Sequence, residues 1–451
     1  MRSRGSQPLP LQEADGLPVP LRYWAIVAIV LAISMSVLDS SIANVALPTL
    51  AREFHTSPAN SVWVINAYQI AILVSLLPLA ALGEIVGYRH VSLAGLAVFT
   101  LGSLACALSP TLLALVCARI FQGFGAAGIM SVNAALVRFT YPHRMLGRAV
   151  GINAFAVATS AAIGPTVAAG VLAVGPWRWL FAINIPIGII TFAIGRRALP
   201  MTEGSHRRFN WASAALHAGT FGLLAGGLQS LAHDTGSAYA LAEIGCGTAL
   251  SILLVRHELG RPAPLIPFDL LRIRLFTLSI ATSVCSFTGQ MAALVALPFE
   301  IERLGHGAVA TGLLMTPWPV AVAFAAPFAG RLADRFQSGI LGGIGLTVLA
   351  CGLFLLATFP HGGSDASFIW RMALCGLGFG LFQSPNNRTR LVSAPRARSG
   401  AAGGMLSTAR LLGQTTGAAG VAILFRAFPE RGSNVALFIA AAMMLLAALV
   451  S

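Results

Sequence analysis

The chain of 451 residues contains no lysine, so its basic charge is carried by 29 arginines. That absence excludes a phosphate-binding GxxxxGK loop and a lysine Schiff base, and with them ATP-driven pumping of the P-loop kind. Charge of either sign is also scarce. Charged residues make up 10% of the chain, against about 25% in soluble domains. The nine histidines include no HxxxH pair, and the six cysteines include no CxxC pair. Neither a metal site nor a disulfide framework is therefore expected, and no cofactor is implied. The cysteines all lie in apolar runs and read as small packing residues.

What is present is apolar sequence, at 56% of the chain, which marks a polytopic all-α membrane protein. The net charge of +14 does not point to nucleic acid, because the arginines sit in short loops between apolar runs. A span needs about 20 mostly apolar residues. On that criterion fourteen spans start near Trp24, Ser61, Val91, Thr111, Leu146, Trp177, Phe209, Ala238, Leu275, Ala308, Ser338, Ser367, Ser399 and Asn434. Residues 1–23 read as a polar tail and not as a cleaved signal. With alternating loops, one face carries Arg52, Arg178, Arg303, Arg426 and Arg431, while Arg119, Arg371 and Arg410 lie within spans; of 29 arginines this leaves 21 for the other face. The positive-inside rule then places both termini in the cytoplasm.

One stretch, Val37 to Pro48, puts the carboxylate of Asp39 inside the first apolar run. Carboxylates at membrane depth are expensive and mark functional sites. Burial favours the protonated form and a nearby cation the charged form, so a proton-binding switch is the leading reading. A static interhelical hydrogen bond is the other.

The chain also repeats itself. ValAlaLeuPro at Val45–Pro48 recurs at Val295–Pro298, and Leu82 with Glu84 recurs as Leu332 with Asp334, both 250 positions on. Arg119, ahead of Gly123 and Gly125, pairs with Arg371, ahead of Gly376 and Gly378. Two six-span halves, residues 24–198 and 271–451, thus flank an inserted pair of spans in residues 199–270. Parallel repeats of this kind are a transporter design, with the site at the midplane between the halves.

With these residues in view, the chain resembles the major facilitator superfamily, and within it the fourteen-span drug–proton antiporters of the EmrB/QacA type. LeuAspSerSerIleAlaAsnValAlaLeuPro from Leu38 resembles the first-span signature. ArgIlePheGlnGlyPheGlyAlaAla from Arg119 resembles the fourth-span motif, GlyProThrValAlaAlaGly from Gly164 the fifth-span antiporter motif, and TrpArgTrpLeuPheAlaIleAsnIleProIleGly from Trp177 the start of the sixth span. The resemblance implies a proton-coupling role for Arg119, whose guanidinium stays charged; a structural pair with backbone carbonyls is the alternative. It implies that Gly164 and Pro165 bend the fifth span and seal the path, with Ala168 where the pattern has a second glycine. LeuGlyGluIleValGlyTyrArg from Leu82 resembles a cytoplasmic-gate motif, which would make Glu84 and Arg89, with Asp334 and Arg335 in the second copy, gate residues. Here Glu84 replaces the usual aspartate and Ile85 the following basic residue, and an ordinary topology-fixing charged loop is the alternative for both copies.

Asn66, Tyr68, Gln69, Gln290, Trp318 and Asn386 are candidate cavity residues, as are Gln383 and Gln414, although polar side chains within spans also serve to link helices. His217, in the inserted pair, has no evident partner. The expected activity is proton-coupled antiport of an amphiphilic small molecule across the inner membrane by a monomer embedded in the bilayer, with protons as the second partner. A dedicated exporter of one metabolite is an alternative within transport, and a channel or non-transporting receptor one outside it. An enzyme is not expected, since no nucleophile and base share a helical spacing. Cations are the expected substrates, recognised by Asp39 and by cation–π contact with Trp318 or Tyr68; Arg119 and Arg410 would instead favour an anion.

Overall fold

The computed structural model describes residues 16–142, 145–202, 204–205, 208–231, 237–259, 261, 264–266, 268–333, 335–360, 362–393 and 399–451. Among them are fourteen helices: α1 (Leu21–Glu53), α2 (Pro58–Val86), α3 (Tyr88–Ala107), α4 (Leu112–Thr140), α5 (Leu146–Val174), α6 (Trp179–Ala198), α7 (Trp211–Ser230), α8 (Ser237–Glu258), α9 (Arg274–Arg303), α10 (Ala308–Leu332), α11 (Ser338–Ala357), α12 (Asp365–Ser393), α13 (Ser399–Ala427) and α14 (Gly432–Val450). The turn of α2 at Val62, of α6 at Ile183 and of α10 at Thr316 is locally irregular. Each helix starts within three residues of the span start read from the sequence. Eleven are long and apolar enough to cross a bilayer; α7, α12 and α13 fall outside that group. The molecule is a multi-pass, all-α membrane protein.

Local chemistry sets several of the starts. Ser57 Oγ accepts from the Asn60 amide at 3.2 Å with Pro58 opening α2, Thr111 Oγ1 accepts from Ala114 N at 3.2 Å at α4, and Asn210 Oδ1 accepts from Ser213 N at 3.1 Å at α7. Each satisfies an amide that the first helical turn leaves without a partner.

Lipid gives helices little hydrophobic reason to associate, so close backbone approach through small residues does that work. The same approach occurs twice. A Cβ on Gly123 would meet the Tyr68 carbonyl and Ala71 Cβ, and one on Gly376 would meet the Trp318 carbonyl and Ala321 Cβ. A Cβ on Gly125 would meet Phe99 N and Gly95 O, and one on Gly378 would meet Leu349 N and Gly345 O. The partners stand 250 positions apart and the glycines 253, so α2–α3–α4 and α10–α11–α12 pack alike. This register corrects the pairing of Arg119 with Arg371. Stepping 253 from Arg119 lands on Met372, which is fully buried, while Arg371 bonds Ser367 one turn back and lies against Phe359 and Trp370.

One apolar core joins the two runs of helices at the end carrying the α1–α2 turn. Leu47 and Leu50 of α1 share it with Leu297 and Ile301 of α9 and with Leu314 and Trp318 of α10. Arg52 and Glu302 close it with an ion pair. The cysteines divide: Cys106 and Cys375 are buried as packing residues, whereas Cys117, Cys246 and Cys351 are exposed on the helix surfaces.

Candidate functional site

Asp39 is fully buried, and every hydrogen bond it accepts comes from another helix. Its Oδ2 forms an ion pair with Arg119 Nη1 of α4. Its Oδ1 accepts from Gln122 Nε2 of α4 and from Asn184 Nδ2 of α6, both at 2.9 Å. Gln122 is placed one turn beyond Arg119, so its amide spans the pair: Oε1 accepts from Arg119 Nη1 at 2.6 Å, while Nε2 also reaches Ser103 Oγ of α3 at 2.9 Å.

Arg119 is held from the remaining sides. Its Nε donates to the Val64 carbonyl of α2 at 3.1 Å, its guanidinium carbon sits 4.0 Å from the centre of the Tyr68 ring, and Phe181 lies at 5.5 Å. Tyr68 is fixed in turn by a hydrogen bond from its hydroxyl to the Ser36 carbonyl at 3.2 Å. Two buried charges each lose several kcal/mol of hydration, which mutual attraction and extra hydrogen bonds must offset. Here both groups are paired, hydrogen-bonded and, for the cation, stacked. The arrangement ties α1, α2, α4 and α6 through one ionisable carboxylate. Chemically it can store or release a proton, and doing so changes the sum of charge in the centre of the bundle by one.

Two residues past Asp39, α1 meets α5. A Cβ on Gly164 would collide with Ser41 Cβ, so the glycine is what lets these helices approach. Beyond it, Gly312 of α10 packs on the Pro165 carbonyl and on Ala169, and the hydroxyls of Thr166 and Thr316 bond across α5 and α10 at 2.8 Å. Ala168, in place of a second glycine, is fully buried.

The model of the Major Facilitator Superfamily matches residues 29–418. The chain belongs to this superfamily. Among its relatives within the superfamily, the uncharacterized transporter YebQ of Escherichia coli (strain K12) is 52% identical over 446 residues, covering 98% of each chain. The riboflavin transporter RibZ of Clostridioides difficile (strain 630) is 30% identical over 88% of this chain and 87% of its own. The multidrug resistance protein Stp of Mycobacterium tuberculosis is 30% identical over 87% of this chain and 74% of its own. Among solved structures, that of a D-xylose–proton symporter superposes with a TM-score of 0.70 at 16% identity, covering 95% of this chain and 96% of the other, a likeness of fold alone. These superfamily matches are transporters, and the chain is a transporter and not an enzyme.

The other sequence candidates fare differently within this superfamily fold. At the proposed gate, Arg89 donates to the Leu199 carbonyl at 3.3 Å and to the Arg196 carbonyl, closing the C-terminal end of α6 in the way basic residues commonly do. Glu84 and Arg335 form no ion pair among the described residues, and Asp334 lies outside those residues. Among the described residues no charge relay is brought together at this end. Of the cavity candidates, Asn66 turns to α7 and bonds Gln229, Gln69 donates to Met291 Sδ at 3.8 Å, and Asn386 donates to Ser283 Oγ at 2.8 Å. Tyr68 is fully buried against Arg119, and Trp318 is buried beneath Gly376. Gln290, Gln383 and Gln414 keep partial exposure. His217 finds the Leu73 carbonyl at 3.2 Å and the Phe221 ring at 4.7 Å, which fastens α7 to α2.

Sequence reading missed Gln122, Asn184 and Ser103. A signal existed for the first: an amide three residues past a mid-span arginine shares its helix face. Asn184 lies in the stretch from Trp177 that resembles the sixth-span motif, but nothing in the sequence aims it at Asp39, and Ser103 carried no signal, since only the fold brings α6 and α3 to Asp39.

Proposed function

We propose that this chain is a proton-coupled antiporter that exports amphiphilic compounds across the inner membrane through fourteen spans, with both termini cytoplasmic and two six-helix halves, 24–198 and 271–451, rocking about an inserted pair. The observation that carries the reading is Asp39, buried and held at once by Arg119, Gln122 and Asn184. A proton arriving at Asp39 cancels one charge of a pair whose other member cannot deprotonate. Arg119 then keeps its carbonyl and ring contacts but loses its counter-ion, and α1 loses its strongest tie to α4. The contacts continue from there: Asp39 and Ser41 share α1, Ser41 packs on Gly164 of α5, and Pro165 and Thr166 touch Gly312 and Thr316 of α10 in the other half. Protonation and the junction between halves are thus linked by neighbouring contacts, and outward opening requires that junction to part.

A preference for cations requires Asp39 to be a free charge in the cavity. In this conformation Asp39 is committed to three donors, so a cation reaches it only by displacing Arg119. The names multidrug resistance protein and riboflavin transporter borne by two relatives support a broad substrate range and a single dedicated substrate respectively. Expression in an efflux-deficient host, screened with varied toxic compounds and an uncoupler, tests the reading: uncoupler-sensitive resistance to several unrelated compounds is the outcome expected of a broad antiporter. Resistance to none, with passive flux in proteoliposomes and no counterflow, would mark a channel and end the antiport reading.

A further inference from the structure

Arg410 is the mid-span arginine that the Asp39 cluster leaves unused. It is the twelfth residue of α13 and is only partly buried, while its chain neighbours Ala409 and Leu411 are buried. Among the described residues its guanidinium makes no hydrogen bond and no ion pair, although an arginine at membrane depth normally pairs or faces a water-filled space. Exposure to lipid does not explain it, because no described residue of α13 from Gly404 to Phe425 is exposed. The helix is enclosed. Leu411 packs with Met35 of α1 and Tyr68 and Ile72 of α2, a Cβ on Gly404 would meet Leu77 of α2, and Gly413 and Gly417 lie on Val284 and Thr288 of α9. Partial exposure on an enclosed helix sets Arg410 beside interior space, one residue from Leu411, which shares a core cluster with Met35 of α1 and Tyr68 of α2. Gln414, one turn on and on the same face, is likewise partly buried and without a hydrogen bond among the described residues.

We propose that Arg410 recognises the substrate, taking the anionic group of an amphiphile such as a carboxylate, sulfonate or phenolate, with Gln414 as a second donor. The proposal rests on the reading of the chain as a transporter of amphiphiles. Its physical basis is a mismatch of charge. The acid of the central site is neutralised by Arg119, so Arg410 is left without a counter-ion among the described residues, with a planar fork suited to two parallel hydrogen bonds to an oxyanion. An anion entering that space gives a counter-ion to a cation that has none among the described residues, which a neutral analogue of the same shape does not.

Binding of a dansylated undecanoate, its neutral methyl ester and ethidium to the full chain in phosphatidylcholine nanodiscs tests this without a proton gradient. The carboxylate is expected to bind roughly tenfold to a hundredfold more tightly than the ester, the range that one or two charge-assisted hydrogen bonds supply. In Arg410→Gln the two should converge, the ester Kd staying unchanged. Arg410→Lys, which keeps charge but loses the fork, should narrow the difference severalfold and carries the test where the glutamine variant does not fold. Equal Kd values for acid and ester in the wild type, tighter binding of ethidium than of either, or an acid-to-ester ratio untouched by both variants would each overturn the proposal. Carboxylate preference without proton-driven transport in proteoliposomes would keep the inference and remove the antiport reading. Proton-driven ethidium transport without that preference would do the reverse.

Discussion

Arg52 and Glu302 form an ion pair, and they are the same position of the two repeats, 250 residues apart like Pro48 and Pro298. Equivalent residues of two halves can touch only where the axis relating them passes, so the pair lies at that axis, at the end of the bundle where α1 and α9 meet. As a surface pair, 58% and 27% exposed, it holds little stability, below about 1 kcal/mol. Its interest is positional. With Arg52→Cys and Glu302→Cys in one chain, a short reductant-cleavable methanethiosulfonate cross-linker is expected to stop transport and reductant to restore it, because the halves must part there in an alternating cycle. Undiminished transport by the cross-linked form, checked in proteoliposomes, would show that this end stays shut throughout.

Asp39→Asn is expected to insert and fold but to lose proton-driven export, since the amide keeps the shape while losing the titratable group. Arg119 is then left buried beside a neutral partner, and losses of roughly 3 to 5 kcal/mol are typical when a buried pair is broken. The thermal transition should fall accordingly. Arg119→Lys should also be impaired, as an ammonium cannot serve Asp39, Gln122 and Val64 from one plane while stacking on Tyr68. Proton-gradient-driven uptake into inverted vesicles measures both, and full uptake by Asp39→Asn would remove the coupling assignment.

The helices were legible because a span must satisfy its backbone internally over a fixed thickness, so apolar length alone finds it. The carboxylate and guanidinium were legible for the same reason, as charges where lipid tolerates few. What was not legible is which way an uncharged side chain turns. Asn66 and Gln69 sit three residues apart on α2, yet one bonds Gln229 of α7 and the other meets Met291 of α9. No periodicity distinguishes a cavity from a neighbouring helix. The assignment of Arg371 failed by a single residue: the arginine-to-glycine spacing is four in one repeat and five in the other, and the backbone keeps the glycines in register.

Gln122 gives a third prediction. Its one amide serves Arg119, Asp39 and Ser103 at once, so Gln122→Leu leaves buried polar groups short of partners, each costing about 1 to 3 kcal/mol. Reduced thermal stability together with weakened coupling is expected, while Thr248→Val, exposed on α8 and bonded only to the Ile244 carbonyl of its own helix, should not reproduce it. Melting curves and the proton-to-substrate exchange ratio of the two variants make the comparison. Equal loss of coupling in both would mean that the Gln122 bridge has no special part.

The fourth prediction concerns the contact between α1 and α5, where the clashing atom can be named. Gly164→Ala places a methyl group on Ser41 Cβ, and helix backbones that cannot yield respond by separating or by straining, at a typical cost of 1 to 3 kcal/mol, about what overpacking carries elsewhere. Since Ser41 stands two residues from Asp39 and Gly164 beside Pro165, the displacement falls between the proton site and the junction with α10. Slower exchange is therefore expected with expression retained. The structure also supplies the rescue: removing the opposing Cβ with Ser41→Gly should restore room and return most of the lost rate in the double variant, though not in Gly164→Ala alone. If the motif acted only by bending α5 at Pro165, the second substitution would change nothing, because it leaves the proline and the α5 backbone as they are. Counterflow rates of the two single variants and the double variant, measured in one lipid, separate the two accounts: recovery assigns Gly164 to close approach of α1 and α5, and an unrescued double variant assigns it to the bend.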